Sequence, residues 1–354
     1  MTRRKLLTLL GLPGLATLLG GAYAARARGQ NPYYAGPVKP NFDGLTFSDG
    51  REITKGFRDF FQWQLQGGKE SWPASYLTPP QDVPPARSAG MRVSHIGHAT
   101  FLIQVAGLNI ITDPLFSERA SPFQFAGPKR VNAPGIAFDA LPRIDAILIT
   151  HNHYDHLDLI SVHRIVDRDR CRIIAPLGND TIIRAKRPDI AVEAHDWGDR
   201  VALSADVAIT LVPSYHWSAR GAFDRRMALW ASYVIAAPQG RIYHIGDTGY
   251  HDGAFFREHG AQFGPFRLAI LPIGAYEPRW FMADNHMNPD EAVKVMAELR
   301  AEVALGHHWG TFQLTNEGVG RPLEALGAAR KAAGVADEHF VASLPGMVWQ
   351  PPAA

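Results

Sequence analysis

The sequence predicts an α/β fold of short buried strands and amphipathic helices, with an N-terminal extension wrapped on the domain. Three observations carry this. Short apolar runs recur along the chain with Gly, Pro, Asn or Asp between them, as buried strands do. Two stretches repeat apolar residues at helical spacing. His or Asp follows directly on several strand-like runs, where open α/β sheets place their ligands. With 46% hydrophobic and 20% charged residues in 354, the chain has material for a real core, and global disorder, collagen and coiled coil are excluded. Lys and Arg total 36 against 34 Asp and Glu, dispersed rather than striped, so nucleic acid is not an expected partner. Cys171 is the single cysteine, which forbids an intrachain disulfide and leaves the compartment unread from sulfur.

Residues 1–29 begin Thr2-Arg3-Arg4-Lys5 and continue as an apolar run from Leu6 to Ala24, the layout of a secretory signal. The Arg3-Arg4 pair is similar to a twin-arginine signature, and the run also approaches the length of a membrane anchor. The expectation is an exported protein, periplasmic or membrane-associated. Residues 30–90 are rich in Pro, Gly, Tyr and Trp and read as an extension, with one helical stretch over Ile53–Leu65. Residues 91–350 read as the main domain. There Met91–Ile96, Thr100–Val105 and Leu108–Thr112 form a hairpin-like series, and Ala146–Thr150 is a buried strand leading through a loop into a helix at Ser161–Asp167. Further strands are expected at Arg172–Ala175, Val207–Val212, Ala231–Ala236, Arg241–Gly246 and Leu268–Pro272. A helix is expected over Pro289–Arg300, with Asn288 as N-cap and Pro289, Asp290 and Glu291 in its first turn.

The loop after the Ala146–Thr150 strand reads His151-Asn152-His153-Tyr154-Asp155-His156-Leu157-Asp158. Imidazoles and a carboxylate so close together suit Zn²⁺, or less readily Fe or Mn, and the loop lets them converge on two adjacent ions. Chance would produce such a string with odds on the order of one in a thousand for a chain of this kind. A two-metal site needs more ligands, and His216, Asp247 and the pair His307-His308 each stand at the end of a later strand. Two cations roughly 3.5 to 4 Å apart would lower the pKa of a shared water and neutralise charge developing on a phosphate. A di-metal hydrolase follows from the donor set alone.

His151-x-His153-x-Asp155-His156 with His216, Asp247 and His308 resembles the metallo-β-lactamase superfamily, which implies an αββα four-layer sandwich. Longer strings are similar to the N-acylphosphatidylethanolamine-hydrolysing phospholipase D family: Gly97-His98-Ala99-Thr100, Gly246-Asp247-Thr248-Gly249-Tyr250, Pro272 to Met282 and His308-Trp309-Gly310-Thr311-Phe312. The resemblance spans roughly residues 46 to 343 and implies two Zn²⁺ per chain. It implies His151, His153 and His216 on one ion, Asp155, His156 and His308 on the other, and Asp247 between them. His307 would point the other way, because successive strand residues alternate faces. His286 matches a family histidine near the reaction centre and joins Asp247 as a candidate catalytic residue, while Tyr276 and Arg279 are candidate substrate contacts. Lys129 and Arg130 are weaker ones, and His98 is as readily a brace for a ligand as a structural histidine.

The activity implied is phosphodiester hydrolysis of N-acylphosphatidylethanolamine or a related glycerophospholipid, with peripheral membrane contact and a homodimer among the expected associations. Two other readings stand beside it. One is lactone or ester hydrolysis of the ascorbate-6-phosphate lactonase kind, and the other is a zinc-binding protein of the periplasm without turnover. Aromatic residues of the Ile53–Leu65 stretch suit either core packing or a lipid-facing surface.

Overall fold

The structure is a computed structural model describing residues 29–52 and 54–352. The segment read as a signal or anchor lies, apart from Gly29, outside the described residues. In chain order the elements are α1 (Phe57–Gln66), β1 (Arg92–Gly97), β2 (Thr100–Val105), β3 (Leu108–Thr112), β4 (Ala146–Leu148), α2 (Leu159–Asp169), β5 (Arg172–Pro176), α3 (Asn179–Arg184), β6 (Glu193–His195), β7 (Arg200–Ala202) and β8 (Ala208–Val212). The second half continues with β9 (Ser232–Ala237), β10 (Gly240–His244), α4 (Ala254–Phe263), β11 (Leu268–Pro272), α5 (Arg279–Met282), α6 (Pro289–Glu298), β12 (Ala304–His307), α7 (Arg321–Ala333), β13 (Phe340–Ala342) and β14 (Val348–Trp349).

Two seven-stranded sheets result, ordered β14-β1-β2-β3-β4-β5-β6 and β13-β12-β11-β10-β9-β8-β7. Each has antiparallel pairs at one side and parallel pairs at the other: β1 with β2 and β2 with β3 run antiparallel, then β3, β4, β5 and β6 run parallel. The second sheet repeats the scheme, antiparallel from β7 to β10 and parallel from β10 to β13. Both faces of each sheet are covered, which is why β1, β2 and β11 are buried at every position instead of alternating. Between the sheets Phe101, Ile103 and Leu148 meet Tyr233, Ile235 and Ile270. Outside the first sheet, Val162 and Ile165 of α2 pack on Ile147 and Ile173. Outside the second, Phe256 of α4, Val295 of α6 and Leu326 of α7 pack on Tyr243 and Leu271. Helix, sheet, sheet, helix is the αββα sandwich.

Local chemistry sets the boundaries that matter for the site. The Ala146–Thr150 run leaves the sheet at Leu148, because the Thr150 N–H donates to Asp113 Oδ1 at 2.7 Å instead of to a neighbouring strand. Helix α2 starts at Asp158, whose carboxylate accepts from the Ile160 N–H, and so fixes where the His151–His156 loop ends. Helix α6 carries the expected cap: Asn288 accepts from the Glu291 N–H, and the Glu291 carboxylate accepts from the Asn288 N–H. It stops at Glu298, two residues short of expectation, and Arg300 turns left-handed at φ 55°.

The extension wraps both halves of the domain: Asp82 pairs with Arg92 of β1, and the Pro85 and Ala86 carbonyls accept from Gln104 and Asn109. Phe42 and Phe47 are buried with Trp230, Trp63 stacks on Phe281 at 5.1 Å, and the Trp72 indole donates to the Glu317 carbonyl at 2.8 Å. Helix α1 leaves Phe60, Phe61 and Leu65 exposed, the last at 86%. Among the described residues no helix is long and apolar enough to cross a membrane.

Candidate active site

Four chain segments leave the sheets at one edge and converge: the loop after β4, the turn holding His216 beyond β8, the turn holding Asp247 beyond β10, and His308 directly after β12. His151 Nε2 lies 3.0 Å from His153 Nδ1, and His216 Nε2 lies 3.2 Å from the same atom. Tetrahedral zinc with bonds of about 2.0–2.1 Å holds its nitrogen ligands roughly 3.3 Å apart, so this trio fits one ion. Asp155 Oδ2 stands 3.5 Å from His156 Nε2 and 3.2 Å from His308 Nε2, a second donor group. Asp247 lies between them. Its Oδ2 is 3.2 Å from His156, 3.8 Å from His216 and 4.0 Å from His151, and its Oδ1 is 3.1 Å from His308.

Burial and charge make this a cation-seeking site. Among the protein's own groups, burial and then the neighbouring His156 hold His151 well below its ordinary pKa, leaving a neutral imidazole with a lone pair to give. At His308 burial works against charge too, but Asp247 and Asp155 outweigh it and push the pKa up to about 9. The carboxylate-rich half thus attracts a positive charge even from protons. Divalent cations would supply it better, and the buried His156 Nε2 and Asp247 Oδ1 have no hydrogen-bond partner to displace.

The rear of the site reveals what the sequence reading missed. Asp113, fully buried after β3, accepts from His156 Nδ1 at 2.8 Å and from Thr150 Oγ1 at 2.6 Å; Thr150 Oγ1 in turn accepts from His151 Nδ1 at 3.0 Å. One carboxylate therefore aims an imidazole in each half, the familiar role of a ligand's outer partner. Asp113 has φ 37° and His308 φ 64°, left-handed conformations that cost a non-glycine residue about 1–3 kcal/mol and are held here by the surrounding bonds. The sequence signal was the polar Asp113 directly before a proline at a strand end. His216 is aimed by the chain rather than a carboxylate, with Nδ1 donating to the Asn285 carbonyl at 3.1 Å.

His98 braces Asp155, its Nε2 3.0 Å from Asp155 Oδ2, and its own ring lies 4.1 Å from that of His308. His307 faces away into the space between the sheets, stacked on His244 at 5.8 Å. His286 sits beside the ligands, Nδ1 3.8 Å from Asp247 Oδ2 and without a hydrogen-bond partner among the described residues. Burial lowers its pKa to about 4, so the ring is neutral near pH 7 until an anion beside it favours the charged form.

Arg279 is not placed as a substrate contact. Its Nη2 donates to both Glu291 oxygens at 2.8 Å and its Nη1 to the His286 carbonyl at 2.8 Å, so it clamps the His286 loop to the start of α6. Tyr276 is 7% exposed and lines a separate cavity with Glu277, Asn316 and Arg321 instead of facing the ligand cluster. Arg130 is likewise spent, its Nε and Nη2 donating to the carbonyls of Ser117 and Leu115, and Lys129 pairs with Glu118 on the surface. Competition from nearby carboxylates and carbonyls decided the cases of Arg279, Arg130 and Lys129, and short motifs do not show it.

The chain belongs to the metallo-β-lactamase superfamily, whose Beta-lactamase superfamily domain matches residues 108–309, and with its His/Asp cluster at the strand ends of an αββα sandwich it is a metallo-hydrolase of that superfamily. Within it, the chain is 37% identical over 273 residues to N-acyl-phosphatidylethanolamine-hydrolyzing phospholipase D 1 of Caenorhabditis elegans, covering 74% of this chain and 76% of that protein. It is 36% identical over 242 residues to the mitochondrial N-acyl-phosphatidylethanolamine-hydrolyzing phospholipase D of Saccharomyces cerevisiae, covering 67% of this chain and 51% of that protein. An isothiocyanate hydrolase from Delia radicum gut bacteria shares the fold, with TM-score 0.59 at 19% identity over 73% of this chain and 98% of its own.

Proposed function

We propose that the chain is a di-zinc phosphodiesterase that splits N-acylphosphatidylethanolamine, or a related glycerophospholipid, into phosphatidic acid and an N-acylethanolamine. The observation that carries this reading is the placement of Asp247 within 4.0 Å of imidazoles from both donor groups, with His286 beside it. The likeness to N-acylphosphatidylethanolamine-hydrolysing relatives supports the substrate class.

His151, His153 and His216 would hold one zinc ion, Asp155, His156 and His308 the other, and Asp247 both. Zinc bound there supplies Lewis acidity and a nucleophilic water at neutral pH. The chain's own residues do the rest. Asp113 and Thr150 hold His151 and His156 with their Nε2 atoms turned inward, so no rotamer search precedes binding. Asp155 and Asp247 are held ionised, well below the ordinary carboxylate range: burial alone would raise them, and His156 and His308 overcome it, so neither is a titrating base. Whereas the His98 Nε2 is engaged by Asp155, His286 stands next to Asp247, outside the two donor groups, with its Nδ1 free of any hydrogen-bond partner among the described residues. From there it donates a hydrogen bond to the phosphate or a proton to the departing alcohol oxygen.

A lipid substrate also fits the surface. Phe60, Phe61 and Leu65 of α1 and Trp280 of α5 are exposed on two helices joined by the Trp63–Phe281 stack, a patch suited to peripheral membrane contact. Export to the periplasm or attachment at a membrane would bring the enzyme to such a substrate.

The test offers the purified protein N-acylphosphatidylethanolamine, a nitrophenyl phosphodiester and a panel of lactones, with and without chelator. Hydrolysis of the lipid at the bond to the headgroup oxygen, lost with chelator and restored by Zn²⁺, is expected. Turnover of lactones alone would replace the reading, and binding without any turnover would refute it.

A further inference from the structure

Beside His216 the surface opens into a cavity of about 310 Å³. The extension forms one wall with Arg51 and Lys55, the chain beyond β8 forms another with Trp217 and Arg225, and Asp284 and Asn285 close it next to His286. Four cationic side chains, Arg51, Lys55, Arg225 and Arg226, meet three carboxylates, Asp49, Glu52 and Asp284, leaving one positive charge over. The pairing is uneven. Asp49 is shared by Arg51 and by Arg226 at 3.4 Å, and Asp284 pairs with Lys55 at 2.7 Å.

Arg225 has no carboxylate partner among the described residues. Its Nη1 donates to the Lys55 carbonyl at 2.8 Å, while its Nε is buried without a partner. The guanidinium lies 4.5 Å over the Trp217 ring, and that ring in turn meets the His153 imidazole at 4.5 Å. A partly buried guanidinium held over an indole, with two other arginines around it and donors left over, is a preorganised receptor for a planar anion.

We propose that this cavity is a subsite for a carboxylate carried by the leaving alcohol of the substrate, with Arg225 as its main contact. The proposal rests on the phosphodiesterase reading and deepens it. The side of the substrate follows from the walls: Asp284 and Asn285 immediately precede His286, so a group in the cavity lies on the flank where the departing oxygen would meet that imidazole. The charge follows from the ledger above, since one uncompensated cation matches one carboxylate. A phospholipid headgroup with a carboxylate next to its acylated amine has this chemistry, as in N-acylated phosphatidylserine, and N-acylphosphatidylethanolamine is the same molecule without it.

The experiment compares these two lipids as substrates of the zinc-loaded enzyme and, separately, N-octanoylserine and N-octanoylethanolamine as ligands in calorimetry. A charge-assisted contact of this kind is expected to favour the serine compounds by about tenfold or more in kcat/KM and in Kd. Arg225→Gln should bring both ratios towards one, and Arg225→Lys should restore part of each. Equal behaviour of the two headgroups in the wild type would overturn the proposal, as would a preference that survives Arg225→Gln, the result expected if zinc alone held the carboxylate. If neither lipid is hydrolysed while the binding preference stands and depends on Arg225, the phosphodiesterase reading falls and the carboxylate site remains.

Discussion

Replacing Asp247 by Ala is expected to lower phosphodiester turnover by about three orders of magnitude or more and to strip the protein of at least one of two zinc ions. Asp247 is 2% exposed and, among the described residues, is the one acidic residue whose oxygens lie within 4.0 Å of imidazoles of both donor groups. Without it, two dications a few ångströms apart repel one another with only Asp155 to offset them, and burial strengthens that repulsion. Activity and elemental analysis on the same preparation check this, with circular dichroism to show that the sandwich is folded. A variant that keeps two ions and full activity would show that Asp247 does not bridge.

His286→Ala should act differently, costing rate while the metals stay. A positioned proton donor or anion contact contributes about 10²- to 10⁴-fold, so kcat should fall by that factor on a lipid whose leaving group is an alcohol. The deficit should shrink on a nitrophenyl phosphodiester, whose nitrophenolate departs without protonation. An equal loss on both substrates would assign His286 to phosphate binding instead, and no loss on either would leave it as a loop residue held by Arg279.

Much of the fold was legible because both faces of each sheet are buried, so that strands β2, β3 and β11 stand in the sequence as mostly apolar runs with their observed limits, broken by Gln104 in β2 and Asn109 in β3. The edge strands β6, β7, β13 and β14 were not, since runs of two or three residues are too short to carry a periodicity. Helices α4 and α7 were missed for another reason: their apolar faces are diluted by Gly and Ala, as at Gly260, which fits closely against the end of α6. The ligand cluster was legible because four of its donors share six residues of one loop. Asp113 and Arg51 were illegible because their importance lies in partners far along the chain. Asp113 reaches His156 across 43 positions, and Arg51 donates to the His216 carbonyl across 165. A sequence shows which residues could hold a metal or a phosphate, but not which are already engaged, and Arg279 is the clearest instance.

The central claim is that two zinc ions shared through Asp247 make this sandwich a phosphodiesterase. Its most direct test is a titration of chelator-stripped protein with Zn²⁺, following hydrolysis of N-acylphosphatidylethanolamine and bound zinc together. The account predicts that activity rises until two ions are bound per chain and that phosphatidic acid is the lipid product. Full activity with one ion or none, or two bound ions without phosphodiester cleavage, would contradict it.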